Sequence, residues 1–233
     1  MSETLIIFDC DGTLVDSQHL IVAAMSDAFA SVDRPAPQRD AILSIVGLSL
    51  PYAVEMLMPG ASAREVQAVS EGYKTAFGRL RAQPDSAEPL YPGIEALVRD
   101  LAARADVLLG IATGKSRRGV DRVLAHHGLE GLFATIHTAD EHISKPDPDM
   151  ILSAMQLLDV PPQRTIMIGD TTFDVEMARA AGARAIGVAW GYHDVGELER
   201  AGAHAIVATA ASLAEHLEPV ITVGRSIDRR GGV

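Results

Sequence analysis

The chain has 233 residues, of which 48% are hydrophobic and 22% are charged, as is typical of a globular α/β protein with or without a modest insertion. Its formal net charge of -11 argues against an extended basic surface for nucleic acid or anionic lipid. The single cysteine, the absence of a basic leader and the lack of any apolar run near the ~18 residues of a membrane span predict a disulfide-free, zinc-cluster-free cytoplasmic protein.

The first predicted element is a short apolar run at residues 5–8, which is typical of a strand buried on both faces of a sheet. Similar runs occupy residues 107–111, 165–168, 185–188 and 205–207, and a weaker one occupies residues 134–137. They alternate with helical patterns, one of which we expect to open at Pro92. The pattern predicts an α/β fold with a Rossmann-like, mostly parallel sheet and helices on both faces.

Residues 17–88 interrupt this alternation, because they show helical spacing and many prolines but no convincing strand. We interpret this segment as a small all-helical cap domain inserted into a catalytic core formed by residues 1–16 and 89–223. The polar, glycine-rich residues 224–233 show no apolar periodicity, so we predict a loosely held tail there.

Two pairs of carboxylates follow predicted strands. Asp9 and Asp11 come directly after the first strand, where one carboxylate can attack phosphorus while the other handles protons. Asp170 and Asp174 follow a later strand and open a helix. Magnesium prefers hard oxygen ligands with one or two protein carboxylates, so Asp9 and Asp170 are predicted Mg²⁺ ligands and Asp174 an outer-shell residue.

Three residues at other strand ends or loops are candidates for binding phosphate. The Thr113 hydroxyl and the neighbouring N–H groups, including that of Gly114, follow the second predicted core strand. Lys145 provides a positive charge that would neutralise the transferring phosphoryl group beside Asp9. The predicted partner is therefore a small phosphorylated metabolite.

These four motifs, in this order, resemble the haloacid dehalogenase superfamily, in the branch whose helical cap follows the first motif. The resemblance covers nearly the whole chain, is strongest to phosphoglycolate phosphatases, and implies a magnesium-dependent phosphatase. It implies that Asp9 becomes transiently phosphorylated, and that Asp11 acts as general acid and then base. It also implies that the main-chain carbonyl of Asp11 joins Asp9 and Asp170 around the metal.

Several residues receive simpler interpretations. Cys10 lies between two inward-facing carboxylates and is predicted to be a small buried filler. Lys115 is interpreted as a surface charge, and Lys74, Arg79 and Arg81 as solvated charges on a cap helix.

Two other functions remain open at this stage. A sugar phosphomutase of the β-phosphoglucomutase type shares the four motifs and differs in cap residues that hold a second anionic group. The cap segment at residues 46–51 resembles the family's specificity loop but contains no Arg or Lys. A non-catalytic phosphate-binding module is the second alternative. The substrate and the oligomeric state cannot be inferred from these residues.

Overall fold

The computed structural model describes residues 3–83 and 88–228, and its centre is a six-stranded sheet. Its strands are β1 (Thr4–Phe8), β2 (Val107–Thr113), β3 (Thr135–Thr138), β4 (Thr165–Gly169), β5 (Arg184–Val188) and β6 (Ala205–Val207). Every pairing between these strands is parallel, and their order across the sheet is β3-β2-β1-β4-β5-β6. The predicted α/β, Rossmann-like fold class is confirmed.

Helices cover both faces of the sheet, and alternate residues of β1 divide between the two layers, as the period of two requires. The helices of the two layers are α5 (Ile94–Ala102), α6 (Arg117–His127), α7 (Asp149–Leu158), α8 (Thr172–Ala180), α9 (Val195–Ala201) and α10 (Ala210–Asp228). Ile6 and Phe8 pack in one hydrophobic cluster, with α5, α6 and α10. Leu5 and Ile7 pack in the other, with α7, α8 and α9.

Between β1 and α5 the described residues form four helices joined by loops, together with isolated β-bridges that involve Asp11, Val15 and Leu90. The helices are α1 (Gln18–Ala30), α2 (Arg39–Leu43), α3 (Leu50–Leu57) and α4 (Ala63–Arg81). They share a hydrophobic cluster of their own, in which Met25, Ile42, Val54 and Val69 are buried. This separate core is what a small inserted domain needs to fold over the sheet.

Two local predictions were wrong. The helix that we expected to open at Pro92 begins at Ile94, because Gly93 adopts a left-handed conformation (φ 82°) and serves as its N-cap. The final helix continues to Asp228, past residue 224, where we placed the start of a loose tail. Residues 229–233 lie outside the described residues. Within the described chain, no helix is long and apolar enough to cross a membrane.

Candidate active site

The carboxyl ends of β1 and β4, where the strand order reverses, carry a cluster of three carboxylates. Asp9 follows β1, Asp170 follows β4, and Asp174 lies in the first turn of α8. All three are buried, and one carboxylate oxygen from each lies within 4.8 Å of the others. This edge is where ligands of open parallel sheets bind, because loops on either side of the reversal diverge and leave a crevice.

Lys145 supplies the positive charge of this cluster. Its side chain is fully buried, and its Nζ atom lies 2.9 Å from Oδ1 of Asp9 and 2.6 Å from Oδ1 of Asp174. The residue belongs to the loop between β3 and α7. Its ammonium therefore connects the first motif to the helix that follows β4.

The cluster contains three carboxylates and only one ammonium, and burial together with this excess of negative charge shifts the pKa values of its groups. Burial raises the pKa of the Asp9 carboxyl to about 6, although Lys145 opposes the shift, and Asp174 adds to it. Burial, followed by the charges of Asp9 and Asp174, raises the pKa of Asp170 well above its usual range. Burial tends to lower the pKa of Lys145, but Asp174 and Asp9 outweigh it and the net shift is upward. Three carboxylates against one ammonium are the environment that a divalent cation would neutralise.

The three carboxylates differ in how many hydrogen bonds they already accept, and therefore in how free their oxygens are to bind a metal ion. Neither oxygen of Asp9 accepts a hydrogen bond of normal geometry from the described residues. Asp170 accepts one from the Thr13 hydroxyl at 2.7 Å and one from the Tyr192 N–H at 2.9 Å. Asp174 is the most occupied. Its Oδ1 accepts from Lys145 at 2.6 Å, and its Oδ2 accepts from the Thr171 hydroxyl at 2.8 Å and N–H at 3.1 Å.

This donor set fits magnesium. A buried carboxylate with unused lone pairs beside a second carboxylate offers the one or two hard oxygens that Mg²⁺ takes from protein, and water would complete its shell. The backbone at Gly12 packs closely against the Asp170 carboxylate. A Cβ atom at Gly12 would lie only 2.2 Å from Oδ2 of Asp170, so a side chain does not fit there. Gly12 also has φ 88°, which favours glycine.

Asp11 lies beside this cluster but faces a different set of groups. Its Oδ1 accepts hydrogen bonds from the Ser17 hydroxyl at 2.5 Å and from Nζ of Lys115 at 2.7 Å. Nζ of Lys115 also lies 2.8 Å from Oε1 of Glu88, which forms a further ion pair with Arg81 at the end of α4. The interpretation of Lys115 as a surface charge was therefore wrong, since its side chain is only 7% exposed. The prediction of a solvated charge was also wrong for Arg81, whose side chain is 15% exposed, whereas Lys74 and Arg79 are exposed as predicted.

A cavity of about 340 Å³ opens between the α1–α4 segment and the sheet, next to Asp11. One wall consists of residues 45–51 together with aromatic side chains of α4, including Tyr73 and Phe77. The other wall begins with Thr113, Gly114 and Lys115 and continues along the start of α6. The cavity thus connects the predicted phosphate-binding loop to a space large enough for a small organic molecule.

The structure brings most of the sequence-predicted residues together. Asp9, Asp170, Asp174 and Lys145 form one buried cluster, and Asp11, Thr113 and Gly114 line the adjoining cavity. Thr113 is buried and its hydroxyl accepts a hydrogen bond from the Lys115 N–H at 3.2 Å. Cys10 is buried in a small hydrophobic cluster, as predicted.

Sequence reasoning missed residues that hold the carboxylates in place. Thr13 and Tyr192 bind Asp170, and Ser17 binds Asp11. A Cβ atom at Gly191 would lie 2.1 Å from Cβ of Asp170. One signal was available for Gly191 and Tyr192, because they follow β5 at the same edge of the sheet as the motifs. The contacts of Ser17 and Thr13 depend on tertiary packing that the sequence pattern does not show.

Known proteins with similar sequences include hydrolases and phosphatases. The family described as haloacid dehalogenase-like hydrolase matches residues 6–188. The probable phosphatase IndB of Dickeya dadantii is 36% identical over 209 residues, covering 88% of this chain and 89% of the relative. The phosphoglycolate phosphatase (plasmid) of Cupriavidus necator is 31% identical over 224 residues, or 93% and 94% of the two chains.

Other similar proteins carry different names. The tyrosine-protein kinase PtkA of Mycobacterium tuberculosis is 33% identical over 192 residues, which cover 82% of this chain and 64% of the relative. Among solved structures, a hydrolase from Pseudomonas syringae superimposes with a TM-score of 0.82 at 30% identity, covering 93% of this chain and 99% of that one. From its motifs, its geometry and these matches, the chain belongs to the haloacid dehalogenase-like hydrolase family.

Proposed function

We propose that the protein is a magnesium-dependent phosphatase that hydrolyses a small phosphate monoester through an aspartyl-phosphate on Asp9. The observation that carries the proposal is the state of Asp9. It is buried, neither of its oxygens accepts a hydrogen bond of normal geometry from the described residues, and Nζ of Lys145 lies 2.9 Å from its Oδ1. A carboxylate held in this way is available to attack, and the phosphatase names of similar proteins support the same activity.

In this proposal Asp9, Asp170 and the main-chain carbonyl of Asp11 hold the magnesium ion, and Asp174 acts from the outer shell. The outer role suits Asp174 because its oxygens are already engaged by Lys145 and Thr171. When bound, the ion would screen the repulsion between the Asp9 carboxylate and the negative phosphoryl group. Lys145, the Thr113 hydroxyl and the Gly114 N–H would bind the phosphate oxygens.

The chemical steps then follow from the positions of the two motif-one carboxylates. An oxygen of Asp9 forms a bond to phosphorus as the ester P–O bond breaks, and Asp11 gives a proton to the leaving alkoxide. Asp11 next takes a proton from a water molecule whose oxygen attacks the same phosphorus. The bond between phosphorus and Asp9 breaks, so inorganic phosphate leaves and the free carboxylate is restored.

Residues 17–88 act as the cap in this proposal, with residues 1–16 and 89–223 as the catalytic core. The apolar wall that this segment presents to the cavity supports the assignment, because closure over the site would exclude water during phosphorylation. The phosphoglycolate phosphatase of C. necator suggests a small organic phosphate as substrate. The buried single cysteine suits the reducing cytoplasm.

The proposal is tested by hydrolysis of p-nitrophenyl phosphate with and without magnesium. We expect activity that EDTA removes and magnesium restores, and a loss of at least about 10³-fold in Asp9→Asn. Asp121→Asn, which changes an exposed carboxylate on α6, is the matched control. Acid quenching followed by peptide mass analysis should find phosphate on the peptide that contains Asp9. Substantial turnover by Asp9→Asn would overturn the proposal.

Phosphorus NMR separates hydrolysis from the mutase alternative. With β-glucose 1-phosphate, a phosphatase releases inorganic phosphate, whereas a mutase forms glucose 6-phosphate without release. A wider set of phosphate monoesters, including phosphoglycolate, ranked by kcat/KM would then identify the substrate class. Conversion to the isomer without phosphate release would contradict a hydrolase.

A further inference from the structure

Two arginines on α6 face the cavity beside the candidate active site. Arg118 and Arg122 both line it, on the wall that begins with Thr113 and Lys115. They are four residues apart in an α-helix, so they project from the same face about 6 Å apart along the axis. Arg118 lies nearer the predicted phosphate-binding loop and Arg122 one turn farther away.

Neither arginine has an anionic partner within the described chain, which sets them apart from their neighbours. Arg117, on the same helix, pairs with Asp121 at 2.9 Å and does not line the cavity. Lys74 pairs with Glu71, and Arg81 pairs with Glu88.

The carboxylates of the cavity wall are themselves engaged. Asp11 binds Lys115 and Ser17, and Asp140 accepts a hydrogen bond from the Arg117 N–H at 2.8 Å. In a protein with a net charge of -11, two cations without anionic partners on the wall of one cavity form a local site that attracts anions.

The opposite wall has a different chemistry. Met25, Leu48, Tyr73 and Phe77 line it, and Tyr73 and Phe77 lie with their ring centroids 5.6 Å apart. A molecule that spans the cavity from the phosphate-binding loop to α6 would therefore place its middle against apolar and aromatic groups. Its far end would meet the two guanidinium groups.

We propose that Arg118 and Arg122 form a second anion-binding subsite for the leaving group of the substrate. The substrate class is a phosphate monoester whose alcohol portion has an apolar middle and carries a second anionic group, either a carboxylate or a phosphate, at its far end. This inference rests on the proposed phosphatase activity and specifies its substrate. Arginine suits the role because its planar guanidinium binds carboxylate or phosphate through two parallel hydrogen bonds.

The test uses two matched pairs of substrates, each differing in one negative group. The flexible pair is hexyl phosphate and 6-(phosphonooxy)hexanoate, and the rigid pair is phenyl phosphate and 4-carboxyphenyl phosphate. For each pair, kcat/KM is measured for the wild-type protein and for Arg118→Gln/Arg122→Gln. The mutant-to-wild-type ratio cancels the intrinsic reactivity of each ester.

We expect the double variant to lose about tenfold to a hundredfold more kcat/KM on the carboxylate-bearing member of at least one pair than on its uncharged partner. The difference should shrink at high salt, because both arginines are exposed. Arg117→Gln, which removes a paired arginine from the same helix, should leave the discrimination as it is in the wild-type protein.

Equal losses on both members of both pairs would overturn the subsite while leaving the phosphatase intact. Failure of the proposed function has a different signature, because the wild-type protein would then hydrolyse none of the four esters with magnesium present.

Discussion

The ammonium of Lys115 is shared by two buried carboxylates, those of Asp11 and Glu88. Burial tends to lower the pKa of Lys115, but the charges of Asp11 and Glu88 raise it well above its ordinary value. The lysine is therefore held charged at the junction between the first motif and the end of the α1–α4 segment. Breaking a buried ion pair of this kind destabilises the folded state, because removing one charged partner leaves the opposite charge buried without compensation.

We expect Lys115→Met to lower the free energy of unfolding by about 2–4 kcal/mol. This loss is smaller than that for breaking a buried ion pair with no other partner, because Arg81 still binds Glu88. Urea denaturation of the two proteins measures the difference. Lys74→Met provides the control, because Lys74 forms an exposed pair with Glu71 and its removal should cost under about 1 kcal/mol.

A double-mutant cycle tests whether the effect arises from the pair. If it does, Lys115→Met should lower the free energy of unfolding by less in a Glu88→Gln background than in the wild-type protein. In that background the substitution no longer leaves the Glu88 carboxylate buried without Lys115. Identical costs in the two backgrounds would show that Lys115 and Glu88 do not interact energetically.

A chain of hydrogen bonds joins the end of β3 to the start of α7. Nε2 of His137 lies 2.7 Å from the Thr135 hydroxyl, Nδ1 of His137 lies 2.8 Å from Nε2 of His142, and Nδ1 of His142 lies 2.9 Å from Oδ2 of Asp149. These residues hold both ends of the loop that carries Lys145. Burial, followed by the proximity of His142, lowers the pKa of His137, against the weaker attraction of Asp149 and Glu141.

The sign of the pH dependence follows from this shift. Above the ordinary histidine pKa of about 6.5 the His137 side chain is neutral in both folded and unfolded states. As the pH falls below that value, the unfolded chain takes up a proton that folded His137 resists, so the unfolding free energy decreases. We expect His137→Gln to lose less stability than the wild-type protein between about pH 7.5 and pH 5.5.

Urea unfolding at the two pH values gives the comparison, with His126→Gln at an exposed position of α6 as the control. The control should keep the pH dependence of the wild-type protein. If His137→Gln kept it as well, the histidine chain would not be its source.

Most of the strands and helices could be predicted from the sequence, because burial leaves a recognisable apolar pattern. The inner strands leave continuous apolar runs because both of their faces are buried, whereas the edge strands β3 and β6 leave weaker or shorter runs. All six strands were predicted with ends within two residues of those observed. The end of α10 was missed because residues 224–228 carry little apolar periodicity. The helix is anchored earlier, through Leu213, Leu217 and Ile221 on the sheet. The start of α5 was misplaced because Gly93 at φ 82°, not Pro92, caps it.

The site could be predicted only in part. The carboxyl ends of all strands in a parallel sheet lie at one edge, so the sequence pattern predicts that Asp9 and Asp170 lie at the same edge. That β1 and β4 are neighbours, which brings the two carboxylates together, is known only from the structure. The partners of Lys115 could not be predicted in this way. Glu88 belongs to the return from the helical segment to the sheet, and its meeting with Lys115 depends on how the two units pack.

The helical segment contacts the rest of the protein close to the predicted phosphate-binding loop. The Ser49 N–H donates a hydrogen bond to the Ser144 hydroxyl at 2.8 Å, next to Lys145. The backbone of residues 47–48 also approaches Gly114 so closely that a Cβ atom there would lie 2.5 Å from the main-chain oxygens of Gly47 and Leu48. This close approach of the two segments therefore depends on the absence of a side chain at position 114.

Gly114→Ala should separate closure from phosphate binding. Alanine keeps the N–H proposed to bind phosphate, but its methyl group must displace the loop at residues 47–48, and small displacements at a reacting centre are costly. We expect kcat/KM for p-nitrophenyl phosphate to fall by about tenfold or more, while the inhibition constant of inorganic phosphate changes less than about threefold. Gly196→Ala, where a Cβ atom meets nothing within 4 Å, is the matched control. Wild-type kcat/KM in Gly114→Ala would show that catalysis does not require this close approach, whereas a parallel loss of phosphate inhibition would place the defect in the phosphate-binding loop itself.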